Sequence, residues 1–171
     1  PGIHNDIAWG KVNVPIEKEK FDAIKAKVTA YFQNREVFIF DGMAGADPAC
    51  TRKFRIVNEL ASQNLFIRSL LLRPTEEELQ NYGEPDFTVI AAPGFKCIPE
   101  IDGVNSEAAI MIDYEEKLVI ICGSQYSGEI KKSVFSVMNF LMPKEDVLPM
   151  HCSANMDPET HETAVFFGLS G

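Results

Sequence analysis

Leu118-Val-Ile-Ile-Cys-Gly-Ser-Gln-Tyr-Ser-Gly-Glu-Ile-Lys-Lys132 is the stretch on which the reading of this chain turns. Leu118 to Cys122 is an unbroken apolar run of strand length, and Gly123 ends it. Beyond the loop, Ile130, Val134, Phe135, Val137, Met138, Phe140 and Leu141 recur at helical spacing, and Pro143 stops the helix. A strand therefore enters a polar loop holding two glycines and Tyr126, and the loop enters a helix carrying Lys131 and Lys132 in its first turns. A helix N-terminus already bears partial positive charge, so two lysines there do nothing for folding. They suit a site for anionic oxygens, with the helix amides and the Tyr126 hydroxyl as further donors. A solvated lysine pair on a helix surface is the plain alternative, and spacing alone does not separate the two.

Working outward, residues 107–112 and 117–122 are apolar runs around Asp113-Tyr-Glu-Glu116, which predicts a β-hairpin. Residues 86–91 form a strand ended by Pro93-Gly94, and residues 53–57 a strand with one wet face. Residues 36–40 read as a short buried strand whose exit, residues 41–48, is a loop by its glycines and proline. Phe21, Ile24, Val28, Tyr31 and Phe32 predict an amphipathic helix, as do Leu60 to Leu71, which must stop before Pro74. Thr75 and Glu78 form a capping-box pattern opening a short helix that Gly83 closes. The residues before Phe21 predict an irregular lead-in or a short edge strand. Residues 147–154 and 163–167 are expected to be strands around a polar turn. The alternation of strands and helices predicts an α/β body whose last two strands belong with a following domain.

A chain of 171 residues with 46% hydrophobic and 24% charged residues has the composition of a globular protein with a real core. No apolar run approaches the roughly 18 residues of a membrane-spanning helix. With 16 basic and 25 acidic residues the net charge is −9, which disfavours nucleic acid and anionic lipid as partners. Any anion site must be a local basic cluster. Cys50, Cys97, Cys122 and Cys152 form no C-x-x-C pair and no leader precedes them, which reads as reduced thiols in a cytoplasmic protein. The start at Pro1 and the stop at Gly171 read as a piece of a longer protein.

Ala164-Val-Phe-Phe-Gly-Leu-Ser-Gly171 has the form of a strand entering a glycine-rich phosphate loop, with only the first half of G-x-x-x-x-G-K-[ST] present. Gly168 and Gly171 are the candidate loop residues. His151 lies in a predicted apolar strand, where a hydrogen-bonded core histidine is the commoner outcome; nearness to a nucleotide loop argues for a ligand. His4 and His161 are expected to face solvent. Glu115-Glu116 reads as a hairpin turn, and Asp41 is the one other carboxylate placed to be considered.

Several stretches together resemble the N-terminal part of ATP-dependent phosphoenolpyruvate carboxykinase. They are His4-Asn-Asp-Ile-Ala-Trp-Gly-Lys-Val-Asn-Val-Pro15, Phe40-Asp-Gly-Met-Ala-Gly-Ala-Asp-Pro48, Phe66-Ile-Arg68 with Arg73-Pro74, Gly123 to Lys132, Met150-His-Cys-Ser-Ala-Asn155 and Val165-Phe-Phe-Gly-Leu-Ser-Gly171. The resemblance implies a mixed β-sheet with flanking helices over residues 1–146 and the start of a nucleotide-binding domain over residues 147–171. It implies decarboxylation of oxaloacetate and transfer of the ATP γ-phosphoryl group, giving phosphoenolpyruvate, ADP and CO2, as in gluconeogenesis. It also implies Mg²⁺ with the nucleotide and Mn²⁺ at the protein.

By the same resemblance, Tyr126 stands beside the organic acid, Lys132 and His151 ligate Mn²⁺ close to both substrate and ATP, and Lys131 faces the phosphate region. Gly168, Leu169, Ser170 and Gly171 begin the nucleotide loop. A metal-ligating lysine must give up its proton, and the metal and an adjacent cation such as Lys131 both favour that form. Other residues of the family's site fall outside this stretch: an arginine upstream, and the loop's lysine and threonine, an aspartate and a later arginine downstream. The chain alone is therefore expected to be inactive. Two further readings stand beside this one: a non-catalytic module that binds an organic acid, and another P-loop phosphotransferase.

Overall fold

A computed structural model describes residues 2–168. Five strands form one sheet in the order β1-β2-β3-β5-β4: β1 (Phe38–Ala44), β2 (Arg52–Asn58), β3 (Phe87–Ala92), β4 (Ala109–Asp113) and β5 (Leu118–Cys122). β2, β3 and β5 run parallel, while β1 and β4 pair antiparallel at the two edges, so the sheet is mixed. The helices are α1 (Gly2–Asn5), α2 (Lys18–Tyr31), α3 (Ala61–Arg68), α4 (Glu76–Gln80), α5 (Pro99–Asp102) and α6 (Gly128–Leu141), the last continued by a 3-10 turn over Met142–Glu145. The fold is α/β, as the alternation predicts.

Both faces of the sheet are covered, and β5 shows why its sequence is apolar throughout. Successive strand residues point to opposite faces. Val119 and Ile121 pack with Ile67 of α3 and with Ile130, Val134, Val137 and Met138 of α6. Leu118, Ile120 and Cys122 pack on the other side with Phe21, Ile24 and Val28 of α2. A strand buried on both faces reads as a continuous run rather than an alternation. β2, by contrast, buries Phe54, Ile56 and Asn58 and leaves the residues between them half-buried, which matches its alternating sequence.

The local signals at element ends hold. Thr75 Oγ1 accepts from the Glu78 amide at 3.2 Å and Glu78 Oε2 accepts from the Thr75 amide at 2.7 Å, a complete capping box. Asp113 Oδ1 accepts from the Glu115 and Glu116 amides, both at 2.9 Å, and turns the β4–β5 hairpin.

Four expectations are corrected. Residues 41–44 are strand, not loop, because Gly42 and Met43 pair with Phe54 and Lys53 of β2. β1 lies at the sheet edge and is buried on one face only, with Phe40 5% exposed in the core and Ile39 58% exposed. α3 ends at Arg68 rather than near Leu71, since Leu72 leaves the helix to exchange two 2.9 Å hydrogen bonds with Met43. Residues 147–152 are not strand; β6 (Ser153–Met156) begins after them and, among the described residues, pairs only with β7 (Thr163–Phe166) in a separate two-stranded sheet.

Candidate functional site

The parallel strands β2, β3 and β5 all end at one edge, and the loop between β5 and α6 starts there. Gly123 turns the chain at φ +66°, donates its amide to the Ala92 carbonyl at 3.2 Å and passes so close to the Glu107 carbonyl that a Cβ would stand 2.5 Å from its oxygen. Both the left-handed conformation and the close approach demand glycine. The Cys122 thiol just before it is fully buried, and burial holds it well above the ordinary thiol range, so this root of the loop is an inert packing group.

Tyr126 is exposed, and its ring lies on Gly128, the first residue of α6. A Cβ there would sit 2.4 to 2.6 Å from the ring and hydroxyl atoms. The missing side chain is thus what lets the phenol rest against the helix start. Consecutive helix residues diverge by about 100°, and the two lysines divide accordingly. Lys132 reaches back so that Nζ is 5.2 Å from the Tyr126 ring centroid, a cation–π arrangement. Lys131 turns the other way, with Nζ 5.4 Å from the Phe135 centroid and 3.2 Å from His151 Nε2. The His151 and Phe135 rings are 5.7 Å apart.

His151 is exposed and lies in the bend before β6, so it is not the core histidine that its apolar neighbours suggested. The edge thus gathers Tyr126, Lys131, Lys132 and His151 from two separate segments. The neighbour it gives His151 is Lys131, while Lys132 faces Tyr126. Gly168 is exposed beyond β7, with open space where a Cβ would be, and makes no part of this group. Leu169, Ser170 and Gly171 lie outside the described residues.

The other candidates serve the scaffold. Asp41 lies within β1 and holds Arg55 of β2 through two 2.8 Å hydrogen bonds, which favour the charged guanidinium still further. Glu116 bridges Lys18 and Lys25 of α2 to the hairpin. His4 and His161 are exposed as expected. All four cysteines are free thiols. Among the described residues no group of three or more His, Cys, Asp or Glu is arranged to hold a metal, and no helix is long and apolar enough to cross a membrane. A residue that sequence reading passed over is Gln63 of α3, 1% exposed, whose Nε2 donates to the Ser124 carbonyl of the Tyr126 loop at 3.3 Å.

Fold and site together define an α/β protein that concentrates amine, imidazole and phenol groups at the C-terminal edge of its parallel strands. The chain belongs to the ATP-type phosphoenolpyruvate carboxykinase family, whose model, described as phosphoenolpyruvate carboxykinase, matches residues 1–171. Over 171 residues it is 67% identical to "Phosphoenolpyruvate carboxykinase (ATP)" of Fusobacterium nucleatum subsp. nucleatum, covering all of this chain and 32% of that relative. It is 55% identical to "Phosphoenolpyruvate carboxykinase (ATP) 1" of Moorella thermoacetica, again over all of this chain and 32% of the relative. The corresponding protein of Caldanaerobacter subterraneus subsp. tengcongensis is 56% identical with the same coverage. The chain thus spans about a third of the length of the curated relatives it matches.

Proposed function

We propose that this chain is the N-terminal part of an ATP-dependent phosphoenolpyruvate carboxykinase, a cytoplasmic carboxy-lyase of gluconeogenesis that converts oxaloacetate and ATP to phosphoenolpyruvate, ADP and CO2. The observation that carries the reading is the gathering of Tyr126, Lys131, Lys132 and His151 at one exposed edge, within a chain 67% identical to a protein of that name. That identity over the whole chain favours this reading over an organic-acid-binding module or an unrelated P-loop phosphotransferase.

In this reading the reaction builds negative charge twice, on the enolate left by decarboxylation and on the phosphoryl group in transit. Lys131 meets that charge electrostatically, in an edge already shaped before substrate arrives, and Lys132 acts through the metal it would hold. The Tyr126 hydroxyl, free of protein partners among the described residues, donates to the carboxylate of the organic acid. By the family resemblance Lys132 and His151 would hold Mn²⁺, with its remaining ligands from the rest of the enzyme and Mg²⁺ arriving with ATP; this requires Lys132 to leave the Tyr126 ring, since Lys131 is the lysine that stands beside His151 here. A bound divalent ion would supply Lewis-acid stabilisation of the developing oxyanion. Residues 1–146 form the substrate-side domain, and residues 147–171, including Gly168 to Gly171, open the nucleotide-binding domain; the separate β6–β7 sheet supports that division.

The test is to assay the complete protein and residues 1–171 side by side for oxaloacetate- and ATP-dependent formation of phosphoenolpyruvate. Activity in the complete protein alone is the expected result. No activity in the complete protein would remove the enzyme reading, and activity in the 171-residue chain would remove the division of the site.

A further inference from the structure

The junction of β2 and α3 holds a cluster of buried amides. Asn58, Gln63 and Asn64 are 0%, 1% and 8% exposed. Asn64 Nδ2 donates to Asn58 Oδ1 at 3.0 Å, but Asn58 Nδ2 and Gln63 Oε1 have no partner among the described residues. A buried amide with an unpaired oxygen is worse for folding than an apolar side chain of the same size. Positions that break such a rule are where function is to be sought.

The other end of Gln63 supplies the reason. Its Nε2 donates to the Ser124 carbonyl, and among the described residues it is the one side chain from outside residues 123–127 that bonds this loop. Ser124 in turn leads to Tyr126, whose amide donates to Ser124 Oγ at 3.3 Å. The loop otherwise depends on the Gly123 amide at its root and the first α6 bonds at its end. We propose that Gln63 is a positioning residue for Tyr126: by holding the Ser124 carbonyl it sets the loop so that the phenol rests on Gly128 and its hydroxyl meets the organic acid. This rests on the carboxykinase reading given above, in which Tyr126 binds that acid.

The experiment uses the complete protein with Gln63→Met, Tyr126→Phe and the double variant. Hydrogen exchange read over residues 123–127 in the absence of substrates depends on no enzymatic assumption. Gln63→Met is expected to speed it several-fold while protection of β3 and β5 stays unchanged. In assays, Gln63→Met is expected to raise the oxaloacetate KM about tenfold with the ATP KM within about twofold of wild type. In the Tyr126→Phe background the same change is expected to add less than about twofold, since the hydroxyl being positioned is gone. Unaltered exchange in the loop overturns the proposal, as do equal losses for both substrates or fully multiplicative effects in the double variant. If Gln63→Met fails to fold, Gln63→Glu serves instead. A protonated carboxyl can donate to Ser124 and a carboxylate cannot, so its oxaloacetate KM, relative to wild type at each pH, should recover as pH falls. A pH-independent defect overturns the proposal. A wild-type protein inactive as a carboxykinase is a separate outcome: it removes the function, and the exchange measurement alone then decides whether Gln63 holds the loop.

Discussion

Lys131 Nζ stands 3.2 Å from His151 Nε2, across twenty residues of chain that include most of α6 and the 3-10 turn behind it. The contact ties the start of one helix to the bend that precedes β6, and it leaves Lys132, about 100° round the same helix turn, to pair with Tyr126. Two adjacent lysines therefore have distinct surroundings, one beside an imidazole and one over a phenol.

Because Lys132 and His151 are both exposed, replacing either by Ala in the complete enzyme should change stability by no more than about 0.5 kcal/mol. Turnover should fall by roughly 100-fold or more, with weakened Mn²⁺ dependence. Thermal unfolding alongside a metal titration checks both; loss of the folded state in both variants would mean that these residues serve the core.

Two glycines of one loop should behave differently. Gly128→Ala meets only the end of an exposed tyrosine, so the ring moves aside, the fold survives and the oxaloacetate KM rises about tenfold. Gly123→Ala meets the Glu107 carbonyl at a φ of +66° and should cost roughly 2–4 kcal/mol. Denaturant midpoints of the two variants, read against their kinetics, separate a displaced side chain from a strained backbone.

Acid stability should depend on Asp102, a buried carboxylate at the end of α5. The hydrogen bond from the Lys27 ammonium, helped by that from the Ile98 amide, outweighs burial and holds its carboxyl below the usual carboxylate range. A depressed folded-state value means stability that is fully present above the unfolded value of about 3.9 and lost as pH falls through the folded value. Asp102→Asn should flatten the loss of stability as pH falls below about 4. Denaturant melts across that range would show an unchanged slope if the pair contributes nothing.

Asp41→Asn should leave turnover within about twofold of wild type while costing about 1 kcal/mol, because its bidentate bond to Arg55 is a cross-strand tie far from the lysines in role. A large fall in turnover without loss of stability would return Asp41 to the chemistry.

What the sequence determined by itself is what neighbouring residues can settle among themselves. The run Leu118–Cys122 announced a strand, the spacing from Ile130 to Met138 announced α6, Thr75 with Glu78 marked the start of α4, and residues 113–116 marked the hairpin turn, because periodicity and short-range hydrogen bonds act within a few residues. The lysine pair at the helix start, with Tyr126 before it, was legible as a candidate site for the same reason. Tertiary structure decided what depends on partners far along the chain. Asp41, Gly42, Met43 and Ala44 look like a loop, yet β2 supplies the hydrogen bonds that make them strand. The same force in reverse took Val147 to Cys152 out of a strand, since no strand among the described residues pairs with them and His151 is left exposed beside Lys131. Gln63 carried no local signal at all, because its meaning lies in a carbonyl 61 residues away. Local sequence sets the periods of strands and helices; pairing and burial between distant segments choose which of them are used.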